Sequence, residues 1–197
     1  MELTTIKNAS GIIAIVLTFV SYTPYFIDLI KGRTRPHIFS WFIWIIVTSI
    51  IFALQISAGA GFGALVTLAV AIASLFIFIL GFKQGNKDIK KIDYVFLVLA
   101  LLAIPLWLVV KQPVLSIILL STVDMLAFAP TVRKSWDAPY SETLIHYVIT
   151  TFRHGLSIIA LAQYNIITIL FPGTWVIANA LFSIMLITRR NKIRTPV

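Results

Sequence analysis

Cysteine is absent from this 197-residue chain, and charged residues are scarce, at 12% of the sequence. The lack of cysteine excludes disulfide bonds and thiolate metal sites. The 3 histidines are not at metal-ligand spacing with carboxylates, so we expect neither a metal nor another cofactor. Gly-x-Ser-x-Gly, His-Glu-x-x-His and phosphate-loop motifs are also missing, which argues against the common hydrolase and nucleotide-dependent enzyme classes.

Long apolar runs dominate the rest of the sequence. Hydrophobic residues make up 59% of the chain, and the mean hydropathy is +0.98. A helix needs about 20 mostly apolar residues to cross a hydrocarbon core of about 30 Å. Seven stretches come close to that length, at residues 9–30, 37–57, 60–82, 93–110, 113–133, 141–163 and 165–188. The sequence therefore predicts an all-α membrane protein of seven transmembrane helices, with residues 1–197 in a single membrane domain.

The basic residues indicate how this domain is oriented. Of the 16 lysines and arginines, Lys7 and Lys111 fall on one side of the predicted membrane, and Arg153 lies inside a span. All the others fall on the opposite side, after the first, third and fifth spans and in the C-terminal tail. The positive-inside rule then places the N-terminus outside and the C-terminus in the cytoplasm. The same charges suit anionic lipid headgroups, so a nucleic-acid partner is not needed to explain them.

The first three and last three spans follow one plan. Aligning the first span with the fifth places Pro24 on Pro130, each near the basic end of its helix, and aligning the third with the seventh places Ser74 on Asn179. We therefore predict two three-helix bundles, at residues 9–82 and 113–188, joined by a linker helix at 93–110. Two such units separated by one helix cross the membrane in the same direction, which makes them parallel repeats.

The paired prolines predict bends at matching depths. Proline removes one backbone N–H and clashes with the carbonyl one turn back, so the helix bends there. In a transporter, Pro24 and Pro130 would serve as hinges of a cytoplasmic gate. The alternative is a fixed kink without motion, since prolines are ordinary in membrane helices.

Three ionisable residues lie near the centres of predicted spans. Asp124 is in the fifth span, and Arg153 and His154 are in the sixth. A charged group at this depth costs about 2.5–3.5 kcal/mol on insertion scales, so it should face a partner or a cavity. We predict a buried Asp124–Arg153 ion pair. That pair would either connect the helices of the second bundle or line a cavity and contact a solute.

The chain resembles the SWEET and PQ-loop transporter superfamily. The resemblance covers the whole length and rests on the segments 21–25 (Ser-Tyr-Thr-Pro-Tyr), 40–41 (Ser-Trp) and 129–131 (Ala-Pro-Thr), together with polar residues in the third helix of each bundle. Tyr25 and Thr131 stand where the family's motif has glutamine. The resemblance implies two three-helix bundles that rock around a mid-membrane site, and no enzymatic activity.

The resemblance also implies which residues bind the solute. The family holds its substrate with an asparagine on the third helix of each bundle and a facing residue on the second helix. Ser74 and Asn179 match the first positions, and Thr48 and His154 match the second. Trp175, one turn before Asn179, is a candidate stacking surface. Asp124 and Arg153 complete the predicted substrate-binding set.

These observations lead us to expect a carrier of a small polar solute in a plasma or inner membrane, with the lipid bilayer and the solute as its partners. By the resemblance, a sugar is the favoured substrate. The alternative is a proton-coupled carrier of an amino acid or vitamin-like solute. A seven-helix receptor or a membrane enzyme is less favoured, because the seventh span has no internal lysine for a retinal Schiff base and no nucleophile and base converge. The sequence leaves the oligomeric state open.

The alternative with proton coupling makes a direct prediction. Imidazole titrates near neutral pH, and carboxylate–histidine groups relay protons in known carriers. Transport should then depend on pH, and Asp124→Asn should abolish that dependence in a proteoliposome uptake assay. If the mutant and the parent show the same pH profile, proton coupling through Asp124 is wrong.

Overall fold

The computed structural model of the protein describes residues 2–31, 38–82, 91–137 and 139–192. Within these ranges the chain forms α-helices and one short 3-10 turn at Pro139–Ser141, with no strand. The helices are α1 (Glu2–Ile30), α2 (Ile38–Ser57), α3 (Phe62–Gly81), α4 (Lys91–Leu108), α5 (Pro113–Asp137), α6 (Leu144–Ile159) and α7 (Ile166–Lys192). The predicted all-helical class is confirmed, and each predicted span overlaps one helix. The basic segments 32–37 and 83–90, on which the predicted orientation partly depends, lie outside the described residues.

The helices differ in length and hydropathy. Within the described ranges, three segments are long and apolar enough to cross a membrane, at Leu3–Ile27, Phe62–Gly81 and Ile166–Lys192, and this indicates a membrane protein. Three shorter apolar helices span Trp41–Ser57, Tyr94–Leu108 and Pro113–Phe128.

The sixth helix is shorter than the sequence suggested. The predicted span of 141–163 was too long, because α6 has 16 residues and a length of about 24 Å. Its predicted ends belong instead to the 3-10 turn that precedes it and to the turn that follows it.

The outward faces of the helices are apolar. On α7, Ile177, Leu181 and Ile184 are exposed at a spacing of three to four residues, whereas Asn179 and Ser183 on the opposite face are buried. Apolar side chains outside and polar side chains inside are the arrangement that a lipid solvent favours. The exposed surface therefore agrees with helices that lie in a bilayer.

The packing of the helices follows the proposed repeat. We call α1–α3 the first triplet and α5–α7 the second triplet. In the first triplet α3 packs against both α1 and α2, and in the second α7 packs against both α5 and α6. Two pairs of contacts join the triplets. The contact of α1 with α6 corresponds to that of α5 with α2, and the contact of α3 with α6 corresponds to that of α7 with α2. Exchange of the two triplets leaves these contacts among their six helices unchanged, as an internal repeat would require. The helix α4 does not follow this symmetry, because it packs against α2 and α5.

One of these contacts depends on a glycine. A Cβ atom added to Gly63 of α3 would lie 2.9 Å from the backbone oxygen of Ser157 and 3.1 Å from the backbone nitrogen of Leu161. Backbone atoms cannot move aside as a flexible side chain can. The close approach of α3 to the end of α6 therefore requires glycine at position 63.

We predict that Gly63→Ala lowers the free energy of unfolding by about 1–3 kcal/mol, because the new methyl group overpacks the contact between α3 and α6. Denaturant-induced unfolding in detergent would measure the change. Gly155→Ala is the matched control, since Gly155 is also helical but has no atom within 4 Å of an added Cβ. The control should be neutral or slightly stabilising. Equal effects of the two substitutions would contradict the predicted role of Gly63.

Candidate functional site

Most of the polar residues of α6 face the interior. Tyr147, Thr150, Arg153, His154 and Ser157 are the buried residues of this helix. Their spacing of mostly three residues places them along one side of the helix. The short, amphipathic α6 is therefore oriented with its polar side toward its helical neighbours and its apolar side outward.

Asp124 of α5 is bound to α7. The indole Nε1–H of Trp175 donates a hydrogen bond of 2.7 Å to Oδ2 of Asp124. The Trp175 ring also stacks on the His154 ring of α6, with centroids 6.3 Å apart and an interplanar angle of 12°. A single side chain on α7 thus connects Asp124 on one neighbouring helix with His154 on the other.

Arg153 is bound to the residue that follows it. Its Nη2 lies 2.7 Å from Nε2 of His154. A guanidinium group is always charged and only donates hydrogen bonds. Nε2 of His154 is therefore the acceptor, and this contact favours the neutral imidazole that carries its proton on Nδ1.

The predicted ion pair between Asp124 and Arg153 is wrong. Asp124 accepts from Trp175, Arg153 donates to His154, and no salt bridge joins the two charged groups among the described residues. The prediction treated α5 and α6 as neighbours, but α7 packs against both helices and lies between them. Trp175 on α7 therefore meets the carboxylate.

Each charged group keeps unsatisfied atoms. Oδ1 of Asp124 and both Nε and Nη1 of Arg153 are buried without a hydrogen-bond partner in the structure. Several buried hydroxyl groups are in the same condition, those of Ser74, Ser121, Ser135, Thr150 and Ser183. Buried polar atoms are nearly always paired with protein or water. The charged atoms of Asp124 and Arg153 therefore mark a place where water or a ligand would bind.

The other predicted site residues are less closely connected to this cluster. Nδ2 of Asn179 donates a 2.7 Å hydrogen bond to the backbone oxygen of Trp175, so Asn179 lies one turn below the cluster on α7. Thr48 donates its hydroxyl at 2.6 Å to the carbonyl of Trp44 in its own helix. Ser74 is buried on α3 with no partner for its hydroxyl. No hydrogen bond joins Thr48 or Ser74 to the cluster in the described part of the chain.

Tyr22 is a site residue that the sequence analysis did not single out. It lies on α1 and is buried, and it is close enough to Arg153 and Asp124 to interact electrostatically with both. Its ring packs edge-on against His146 of α6 at 5.3 Å between centroids. Tyr22 brings the first triplet to the charged cluster. Its position two residues before Pro24, within a motif of the resembled family, was the available signal.

His146 makes a second link between the triplets. Its Nδ1 lies 2.9 Å from the backbone oxygen of Ser21, and because a carbonyl only accepts, the imidazole N–H is the donor. Ser21 lies three residues before Pro24, which is inside α1. The contact therefore joins α6 to the part of α1 where a proline bend was predicted. Pro130 belongs to α5, but its side chain is outside the described part of the structure, and the hinge role of both prolines stays a prediction.

Aromatic rings surround the charged cluster. Phe128 of α5 packs edge-on against Trp175 at 5.3 Å, and Phe171 of α7 packs edge-on against His154 at 6.0 Å. Apolar surroundings of this kind lower the local dielectric constant and strengthen hydrogen bonds to any bound polar group. The site combines a partly satisfied carboxylate, a partly satisfied guanidinium group, a neutral imidazole and aromatic surfaces.

Comparison with known proteins found no protein family model, curated protein or solved structure that matches this chain.

The Trp175–Asp124 hydrogen bond can be tested by a double-mutant cycle. Trp175→Phe keeps an aromatic ring but removes the donor, and we expect a loss of about 1–3 kcal/mol in the free energy of unfolding. In an Asp124→Asn background the same substitution should cost less, because the charged acceptor is already gone. Unfolding in detergent would measure both effects.

The control for this cycle is Trp136→Phe, at an indole that is 52% exposed. It should show no coupling with Asp124→Asn. If the effects of Trp175→Phe and Asp124→Asn are additive, the hydrogen bond does not contribute to stability as described.

Proposed function

We propose that this protein is a membrane transporter that moves a small polar solute by alternating access. Its seven helices would cross a plasma or inner membrane, with the N-terminus outside and the C-terminus in the cytoplasm. The observation that supports a solute site best is the pair of buried, oppositely charged groups, Asp124 and Arg153, which keep unpaired atoms and do not bind each other.

A purely structural role for these charges is harder to reconcile with their geometry. A buried charge that lacks a full set of partners costs several kcal/mol of stability, and an ion pair or an apolar replacement would avoid that cost. A passing solute, together with water in its absence, can supply the missing partners. Unsatisfied charges between helices are thus expected at a transport site and are unfavourable in a static core.

The helix packing suits alternating access. The triplets meet through α1 with α6 and through α2 with α5, and Tyr22 of the first triplet approaches Arg153 of the second. A solute bound at this boundary would become accessible from either side as one triplet rocks against the other.

A sugar is the first candidate substrate, as the resemblance to SWEET and PQ-loop transporters suggests. Hydroxyl groups of a sugar both donate and accept hydrogen bonds. The carboxylate of Asp124, the guanidinium of Arg153 and the amide of Asn179 offer complementary groups, and aromatic rings such as Trp175 lie beside them. A small number of polar groups in an aromatic surrounding is common in sites for small molecules.

An amino acid or a similar zwitterionic solute is the second candidate. Asp124 keeps an unpaired acceptor and Arg153 keeps unpaired donors. An ammonium group and a carboxylate on one solute would pair with these two residues separately. The separation of the charges in the structure favours this candidate more than a closed Asp124–Arg153 ion pair would have done.

Uptake by proteoliposomes of labelled sugars and amino acids tests the proposal. We expect Asn179→Ala to lower uptake of the transported solute, with about a tenfold loss of apparent affinity if one hydrogen bond is lost. Arg153→Gln should reduce uptake of an amino acid strongly and that of a neutral sugar much less, which separates the two candidates. Thr122→Ala is the control, since this exposed residue of α5 bonds only to its own helix. A folded protein that takes up none of these solutes would overturn the proposal.

A further inference from the structure

Two arginines in the last turn of α7 each lie over an exposed aromatic ring. The guanidinium group of Arg189 is 4.7 Å from the centroid of the Trp136 ring at the end of α5, and that of Arg190 is 5.1 Å from the Tyr140 ring in the 3-10 turn. Both rings are 52% exposed. We call these four residues the basic–aromatic cluster. It lies apart from the candidate solute site, because Trp175 precedes Arg189 by fourteen residues, which is about 21 Å along α7.

Backbone carbonyl groups hold the two arginines in place. Nε of Arg189 donates to the backbone oxygen of Trp136 at 2.8 Å. Nε of Arg190 donates to the backbone oxygen of Pro139 at 3.1 Å, and its Nη2 donates to that of Glu142 at 2.6 Å. These contacts connect the end of α7 to the turn between α5 and α6. They also fix the orientation of each planar guanidinium group.

The positive charges of the cluster are not neutralised by these contacts. A carbonyl oxygen is a neutral acceptor, and in the described part of the chain no ion pair joins Arg189 or Arg190 to a carboxylate. Asp137 is exposed, and Oε2 of Glu142 accepts a hydrogen bond from the Tyr147 hydroxyl at 2.7 Å. Neither Nη atom of Arg189 has a partner among the described residues. Both atoms can therefore donate to one oxyanion in the bidentate manner typical of arginine.

The cluster lies at the depth of lipid headgroups if α7 crosses a bilayer. The 27 residues of α7 extend about 40 Å, and a bilayer with its headgroups is about 40–45 Å thick. Ile184 and Ile187 are exposed in the turns that precede Arg189 and Arg190. An apolar face that ends in basic residues and in Trp and Tyr rings is typical of the membrane–water interface.

We propose that the basic–aromatic cluster binds the phosphate of an anionic phospholipid. Arg189 pairs with the phosphate, Arg190 adds a second positive charge, and the acyl chains lie along the apolar face of α7. A lipid fits this place better than a soluble phosphate does, because the cluster adjoins an exposed apolar face. Under the proposed topology the cluster faces the cytoplasmic leaflet, where anionic lipids are found. Lipid binding here goes beyond the proposed transport and does not depend on it.

Native mass spectrometry of the purified protein in detergent tests this site. The probes are phosphatidylglycerol, which is anionic, and phosphatidylcholine, which has a phosphate but no net charge. We expect the parent protein to bind phosphatidylglycerol more tightly. Arg189→Gln should weaken that binding about fivefold, which is the contribution of one basic residue near an anionic surface.

Lys192→Gln is the matched control for Arg189→Gln. It removes the same charge from the same turn of α7. Lys192 is exposed, and in the described structure it lies over no aromatic ring and makes no hydrogen bond. Its substitution should therefore change the affinity for phosphatidylglycerol much less. Equal losses in the two variants would show that basic charge in general attracts the lipid, and the site would be overturned.

Two further outcomes would also overturn the inference. One is equal affinity of the parent protein for the two lipids, and the other is displacement of phosphatidylglycerol by an equal concentration of inorganic phosphate, which would indicate a site for a soluble anion. If Arg189→Gln does not fold, Arg189→Lys replaces it, because lysine keeps a cation near Trp136 but cannot bind a phosphate in the bidentate manner. Binding should still weaken, and unchanged affinity in Arg189→Lys would contradict the proposed pairing.

Discussion

Trp175 lies where the three helices of the second triplet meet, and much of the site depends on its indole N–H. The hydrogen bond to Asp124 orients a carboxylate that has no cationic partner in the described structure, and the ring orients His154 by stacking. Because α7 lies between α5 and α6, Asp124 meets Trp175, and Arg153 on α6 binds His154 instead. The two opposite charges stay apart, and each keeps atoms without a partner. Their separation is therefore a consequence of the helix that lies between them.

The bilayer explains why such a donor is needed. In lipid, burial of an apolar side chain in the protein interior provides no hydrophobic free energy, because the lipid tails are equally apolar. Polar side chains can therefore occupy the interior. The exposed faces of α7 and the buried polar face of α6 both follow that rule. Once inside, however, each polar atom needs a partner. Some of the buried hydroxyls satisfy this need within their own helix, as Thr18 does with the carbonyl of Ala14 at 2.9 Å. Asp124 and Arg153 each keep buried atoms without a partner, and because these groups are charged, the cost of their burial is the largest.

The two triplets share the same pattern of helix contacts but differ in the side chains at corresponding positions. The repeat counterparts of Asp124, Arg153 and His154 are Thr18, Val47 and Thr48, and both threonines are bonded to carbonyl groups of their own helices. The first triplet instead contributes Tyr22, which has an aromatic ring and a hydroxyl but no charge. A site with its charges on one triplet and a phenol on the other suits a solute that binds in a single orientation. In the proposed transporter, the symmetric packing would allow the triplets to rock, and the asymmetric lining would distinguish the solute.

The length of an apolar run is a local property, so the sequence predicted α2 as 37–57 where the structure has Ile38–Ser57. Depth in the membrane follows from position along a helix. For the same reason it was predictable that four residues lie near the middle of their spans: Asp124, Arg153, His154 and Trp175. The sequence was less reliable for α6, where polar residues that face inward resemble loop residues at the ends. It could not determine which groups bind each other, because that depends on which helix lies between which. Only the tertiary structure placed α7 between α5 and α6, paired Asp124 with Trp175, and brought Ala60 into contact with Ala162, which is 102 residues further along the chain.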